Sequence, residues 1–192
     1  PNSLALGGRV MDAVVLHTFV TDETTARCVR AVKEAAERAG RDPASVRVWA
    51  CFATIGDHVP EALRLEKTVG RLATYLQGYG DLLVKTNRWD PAVLARFRAD
   101  PFVAGFRGAF DAKATTVDLE RIAPLLPAEW LAPAATGSPE RCAAAIAGQF
   151  ALGVDGVILH GATPDELAPV LAAWRAVRPA GRFGHLAANP AA

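Results

Sequence analysis

The chain has 192 residues, 51% of them hydrophobic, and its 21 basic and 20 acidic residues leave a formal charge of +1. That size and apolar content suit one ordinary core, and the charge balance argues against a nucleic-acid or polyanion partner, which would select a basic excess on one face. No apolar run approaches the ~20 residues that span a bilayer, so no membrane partner is expected.

The chain opens on Pro1-Asn2-Ser3-Leu4, a helix start in which Asn2 or Ser3 would cap, and the Gly7-Gly8 pair allows close packing. Asp12-Ala-Val-Val-Leu-His17 is a short β-branched apolar run, as expected of a strand buried on both faces. Thr21, Asp22 and Glu23 then open a helix that runs to Ala39 and is stopped by Gly40. On it Arg27, Arg30, Lys33, Arg38 and Arg41 interleave with Glu34 and Glu37, which reads as a solvated face. Asp42-Pro43-Ala44 turns the chain into a second strand at 46–54. From 60 to 127 the pattern is mostly helical, with breaks at Gly78-Tyr79-Gly80, at 87–91, at Asp100-Pro101 and at 105–108. A weak third strand is placed at 130–135, a helix at 139–152, a fourth strand at 156–160 and a last helix at 164–177. Residues 179–192, rich in Ala, Gly and Pro, read as a disordered tail.

Strand and helix therefore alternate, which implies parallel strands with right-handed crossovers. The first and last strands match in residue class position for position, Asp12 to His17 against Asp155-Gly-Val-Ile-Leu-His160, as repeated βα units of a barrel would. A closed barrel takes eight such units, and four are found here. Four parallel strands leave two open edges, and the first residue is Pro1 rather than Met, so the expectation is the C-terminal half of a parallel (β/α)₈ barrel with a helical insertion. The three cysteines, Cys28, Cys51 and Cys142, are odd in number and widely spaced, which favours a reducing, cytoplasmic setting over disulfides or a zinc site.

Chemistry in such barrels sits at the C-terminal ends of the strands. His17 and His160 close their strands and His58 follows the second, so each is a candidate acid, base or hydrogen-bond donor. Ser138-Pro139 and Thr163-Pro164 are capped helix starts, Thr163 and Glu166 have capping-box spacing, and free N–H groups there would suit a phosphate. Glu166 makes the second of these the less attractive.

The opening 1–16, the Ala36-Glu-Arg-Ala-Gly-Arg-Asp-Pro43 helix end before the second strand, and the Gly137-Ser-Pro-Glu-Arg … Leu152-Gly-Val-Asp-Gly-Val … Pro164 order together resemble the luciferase-like monooxygenase family. The resemblance covers about residues 1–178 and is strongest to actinobacterial members using the deazaflavin coenzyme F420, including Leu72-Ala-Thr-Tyr-Leu-Gln-Gly-Tyr-Gly80. It implies a barrel whose cofactor, F420 or alternatively FMN, lies across the C-terminal mouth. The phosphate turn of the family falls on Pro1, Asn2, Ser3 and Leu4, with Thr18 near the cofactor and His160 on the substrate side. His17 is the expected proton donor for hydride transfer between reduced cofactor and a small organic molecule, with self-association of the full-length protein left open. Tyr75, Tyr79, Trp89, Phe97, Phe102 and Phe106 of the insertion are candidates for a lid or pocket wall, against plain packing. Because the first barrel strands usually carry much of the isoalloxazine pocket, this stretch alone is expected to bind cofactor weakly or not at all. A catalytically silent half-barrel acting as a structural or assembly partner is the reading from a different class.

Overall fold

A single long strand organises the molecule. In the computed structural model, which describes residues 2–181 and 183, β2 (Arg47–Gly56) pairs in parallel with each of three shorter strands. These are β1 (Ala13–Val15), β3 (Ala134–Gly137) and β4 (Gly156–His160). Trp49 of β2 is partnered by Val15 and by Gly156, and Ala53 by Ala134 and by His160. A strand residue has one neighbour on each side, so β4 holds one edge of β2 while β1 and β3 follow one another along the other. Pro1 and most of the expected tail at 179–192 lie outside the described residues.

The helices are α1 (Asn2–Val10), α2 (Asp22–Arg38), α3 (Glu61–Leu65), α4 (Arg71–Asn87), α5 (Pro91–Ala99), α6 (Pro101–Gly105), α7 (Phe110–Lys113), α8 (Thr116–Ile122), α9 (Ala128–Leu131), α10 (Pro139–Ala151) and α11 (Pro164–Val177). A π-helical turn, Glu66–Gly70, leads into α4. Their starts follow the capping chemistry of the sequence: Thr21, Asp90, Asp100, Thr115, Ser138 and Thr163 each accept a backbone N–H in the first turn. Gly40 ends α2 at φ +72°, where a side chain would be strained. The Gly7-Gly8 pair does what small residues allow, since a Cβ on Gly8 would run into the Val32 carbonyl and Ala35 of α2. Among the described residues no helix is long and apolar enough to cross a membrane.

The two faces of β2 differ. Val48, Ala50 and Phe52 point into a core with Val29 and Val32 of α2, Cys142, Ile146 and Phe150 of α10, and Val170 of α11. On the other face, Ala53 and Ile55 are covered by the helical insertion through Val69, Leu72, Leu76 and Phe110. Trp49 and Cys51 on that same face are half-buried, and their partners Val15 and Ile158 are 60% and 39% exposed. In a closed barrel this open stretch is the interior.

Two expectations need correction, and one interruption takes a particular form. The third strand begins at Ala134, because 128–131 form α9, whose Trp130 is buried and stacks on Trp89 at 4.6 Å. The expected break at Gly78-Tyr79-Gly80 is present as a kink inside α4, where Tyr79 leaves helical geometry (φ −150°, ψ 36°). The basic face of α2 is not simply solvated. Lys33 Nζ reaches the Val46 carbonyl and Asp155 Oδ2, each at 2.8 Å, and Arg27 reaches the Thr86 carbonyl. Just past the helix, Arg41 binds the Gly8 and Met11 carbonyls.

Candidate active site

The backbone of β1 continues its pairing through Leu16, whose N–H donates to the Trp49 carbonyl, and His17 is the next residue. Its ring is exposed yet fixed at both nitrogens. His17 Nδ1 lies 2.9 Å from the Thr18 carbonyl oxygen, and Nε2 lies 3.1 Å from the Tyr79 hydroxyl. A carbonyl can only accept, so Nδ1 carries the hydrogen and the neutral imidazole offers Nε2 as an acceptor. The ring also stands edge-on to Tyr75 at 5.1 Å and to Tyr79 at 5.2 Å between centroids. Tyr75 and Tyr79 are one turn apart on α4, and the kink at Tyr79 sits where the helix passes His17. Burial, reinforced by the neighbouring Tyr75 phenol, holds the Tyr79 hydroxyl well above its usual value, so it stays protonated.

Thr18 is buried, and its hydroxyl lies 3.2 Å from Cys51 Sγ on the open face of β2. Across that strand, His160 ends β4 beside Ala53. Its Nδ1 is buried without a hydrogen-bond partner. Burial first, then the charges of Arg71 and His17, hold the His160 imidazole below its ordinary pKa and favour the neutral ring. Arg71 opens α4 and sits 2.6 Å from Asp111 Oδ2, at an angle that makes it an ion pair rather than a hydrogen bond. Asp111 is held in turn by Thr74, which donates to Oδ1 at 2.8 Å.

His17, His160, Tyr75, Tyr79 and Arg71 therefore gather at the C-terminal ends of β1 and β4. His58 is not among them: it folds back over Gly56, with Nε2 2.7 Å from the Glu166 carbonyl. The α11 start is already filled by its own side chains. Glu166 accepts the Thr163 N–H at 2.7 Å and pairs with Lys67 at 3.2 Å, which draws its carboxyl below the usual range. At α10, the Ser138 hydroxyl both caps the helix and donates to Glu140. Asn2 and Ser3 are exposed in the first turn of α1, which holds no acidic residue, with Leu4 half-buried behind them. Among the described residues no hydrogen bond joins this turn to His17, Thr18 or His160.

Of the aromatics expected to wall a pocket, only Tyr75 and Tyr79 face this cluster. Phe97 is wholly buried, Trp89 stacks on Trp130, and Phe102 and Phe106 pack with Phe110. Sequence reasoning missed Arg71 and gave the tyrosines no pairing with His17. The available signal was their four-residue spacing, which puts both on one helix face if the two glycines are read as a kink.

The model of the luciferase-like monooxygenase family matches residues 1–156. The coenzyme F420-dependent tetrahydromethanopterin reductase of Methanopyrus kandleri superposes with a TM-score of 0.63 at 20% identity, over 88% of this chain and 46% of its own. A riboflavin lyase, solved with modified FMN and riboflavin, gives 0.49 at 20% identity, over 90% of this chain and 40% of its own. The chain thus spans less than half the length of either structure. No curated protein matches it.

Proposed function

The chain belongs to the luciferase-like monooxygenase family, and from that premise we propose that it forms the C-terminal half of a barrel enzyme that transfers hydride between a reduced deazaflavin, coenzyme F420, and a small organic substrate. The observation that carries this reading is the meeting of His17, Tyr75, Tyr79 and His160 at the C-terminal ends of β1 and β4. It puts titratable groups and aromatic edges where barrels of this kind do their chemistry.

Asn2, Ser3 and Leu4, with Pro1, are the proposed phosphate turn, supported by a helix start that no carboxylate of its own occupies. Thr18 shapes the floor through its contact with Cys51, and the unpartnered Nδ1 of His160 supplies a polar atom on the substrate side. When bound, the cofactor supplies the hydride. The protein orients the two partners and provides the proton, for which His17 is the candidate donor.

FMN in place of F420 is the alternative reading. Titrating both cofactors into the full-length protein, with quenching and spectral shift as readouts, separates them. Binding of F420 with FMN silent supports the proposal, the reverse pattern moves it to FMN, and no binding of either rejects it.

A further inference from the structure

Building on the oxidoreductase reading above, we propose that His17 does not act alone: Tyr79 hands its hydroxyl proton to the substrate while taking one from His17 Nε2. Tyr79 is then the catalytic residue and His17 a positioning residue that acts through it.

The geometry leaves His17 little else to do. Its Nδ1–H is committed to the Thr18 carbonyl at 2.9 Å, so Nε2 is the only nitrogen free for chemistry, and Nε2 faces the Tyr79 hydroxyl at 3.1 Å. Rotating the ring to offer Nδ1 instead would break that backbone bond and displace the edge contacts with Tyr75 and Tyr79. The direction of the His17–Tyr79 bond depends on charge. With His17 neutral, the phenol donates to Nε2 and its hydrogen is occupied. With His17 protonated, Nε2–H donates to the phenol oxygen, and the phenol hydrogen is free to turn to another acceptor, the neighbouring Tyr75 hydroxyl or a bound substrate.

The groups facing the pair bear on this. Tyr75 and Arg71 approach from α4, Asp111 from α7 and His160 from β4. Burial and Tyr75 oppose ionisation of Tyr79 more than Arg71 favours it. A phenol that resists becoming phenolate gives up its proton only as it receives another, which is what the His17 contact permits.

The step balances as follows. A bound deazaflavin or flavin would supply hydride to a C=O or conjugated C=C of the substrate, which would leave a negative charge on its far atom. The Tyr79 O–H bond breaks as that atom takes the proton, and the His17 Nε2–H bond breaks as the phenol oxygen takes its proton. The phenol is restored, His17 is left neutral, and because its ring is exposed it recovers a proton from water. The substrate class is thus an unsaturated centre that becomes basic once hydride arrives.

Two measurements test this. In the chain alone, long-range ¹H–¹⁵N spectra should show neutral His17 as the Nδ1–H tautomer, with an Nε2 shift that Tyr79→Phe changes and Tyr75→Phe largely leaves. An Nε2–H tautomer, or a Tyr79→Phe spectrum identical to wild type at His17, overturns the relay. In the full-length protein with its cofactor, Tyr79→Phe and His17→Gln should each lower kcat about 100-fold with KM and cofactor affinity retained. The double variant should lose no more than either single one. Multiplying losses would mean two independent groups and overturn the relay. Absence of turnover with any cofactor would sink the oxidoreductase reading instead, while the spectra of the chain still decide the His17–Tyr79 pair.

Discussion

β1 and β4 flank one strand from opposite edges, and each begins after an aspartate and leads to a histidine, but the two pairs of residues live in different surroundings. The Asp12 side chain is fully exposed and pairs with Arg41 at 3.8 Å. Asp155 is clamped: one carboxylate oxygen accepts from Lys33 Nζ and from the Val48 N–H, both at 2.8 Å, and joins the C-terminal half of α2 to the N-terminal ends of β2 and β4. At the other ends, His17 is exposed with both nitrogens engaged, while His160 is half-buried with Nδ1 unpaired. The difference comes from position. β4 has α10 and α11 packed behind it, whereas β1 is three residues long and its Val15 looks onto the open face. One local pattern thus serves as a structural anchor at one end of β4 and as the approach to a polar cluster at the end of β1.

The comparison breaks most readily at the aspartates. Asp155→Ala leaves the Val48 N–H unsatisfied and Lys33 without its counter-charge. A loss of about 1.5–3 kcal/mol is expected, the range for hydrogen bonds to charged groups. Asp12→Ala should fall within about 0.5 kcal/mol of wild type, as exposed ion pairs usually do. Urea unfolding of both variants measures the contrast, and equal losses would mean that the clamp adds nothing beyond what the exposed aspartate does.

The residues after the aspartates give a smaller effect. A Cβ on Gly156 would collide with the six-membered ring of Trp49, whereas Ala13, at the matching place in β1, is exposed and partnered by Arg47. Gly156→Ala should cost about 1–2 kcal/mol, the lower part of the range for overpacking, because the half-exposed indole can shift. Tryptophan fluorescence reports that shift directly. A stability loss without a spectral change would place the strain elsewhere.

How far the sequence carried follows from the same residues. Strand β4 was legible to the residue, and β1 and β2 nearly so, because short β-branched runs between turn signals have few other uses. The family followed from the order of several weak motifs. What escaped was long-range. Nothing local tells Asp155 from Asp12, since Lys33 is more than a hundred residues away from one of them. Nor does anything local show that Tyr79, read as part of a break, would kink α4 and bring a phenol to His17. Trp130 misled for the same reason: an aromatic in a short apolar run suits a strand until Trp89 is known to stack on it.

The smallest expected effect separates the two histidines by pH. His160 titrates below its ordinary value in the native chain, chiefly through burial, then through Arg71 and His17. As pH falls through the ordinary histidine range, the unfolded chain binds a proton there before the native chain does, so stability declines, and the decline stops once pH is below the native value. Unfolding midpoints between about pH 7.5 and about pH 5 should therefore drop less in His160→Gln than in wild type. In His17→Gln the His160 component of the slope should shrink only slightly, because that neighbour's charge is the last of the three causes. Identical slopes in wild type and His160→Gln would mean that the imidazole is as well solvated as a free one. The unpaired Nδ1 at the end of β4 would then be reached by water, rather than held dry beside the cluster that His17 and Tyr79 form.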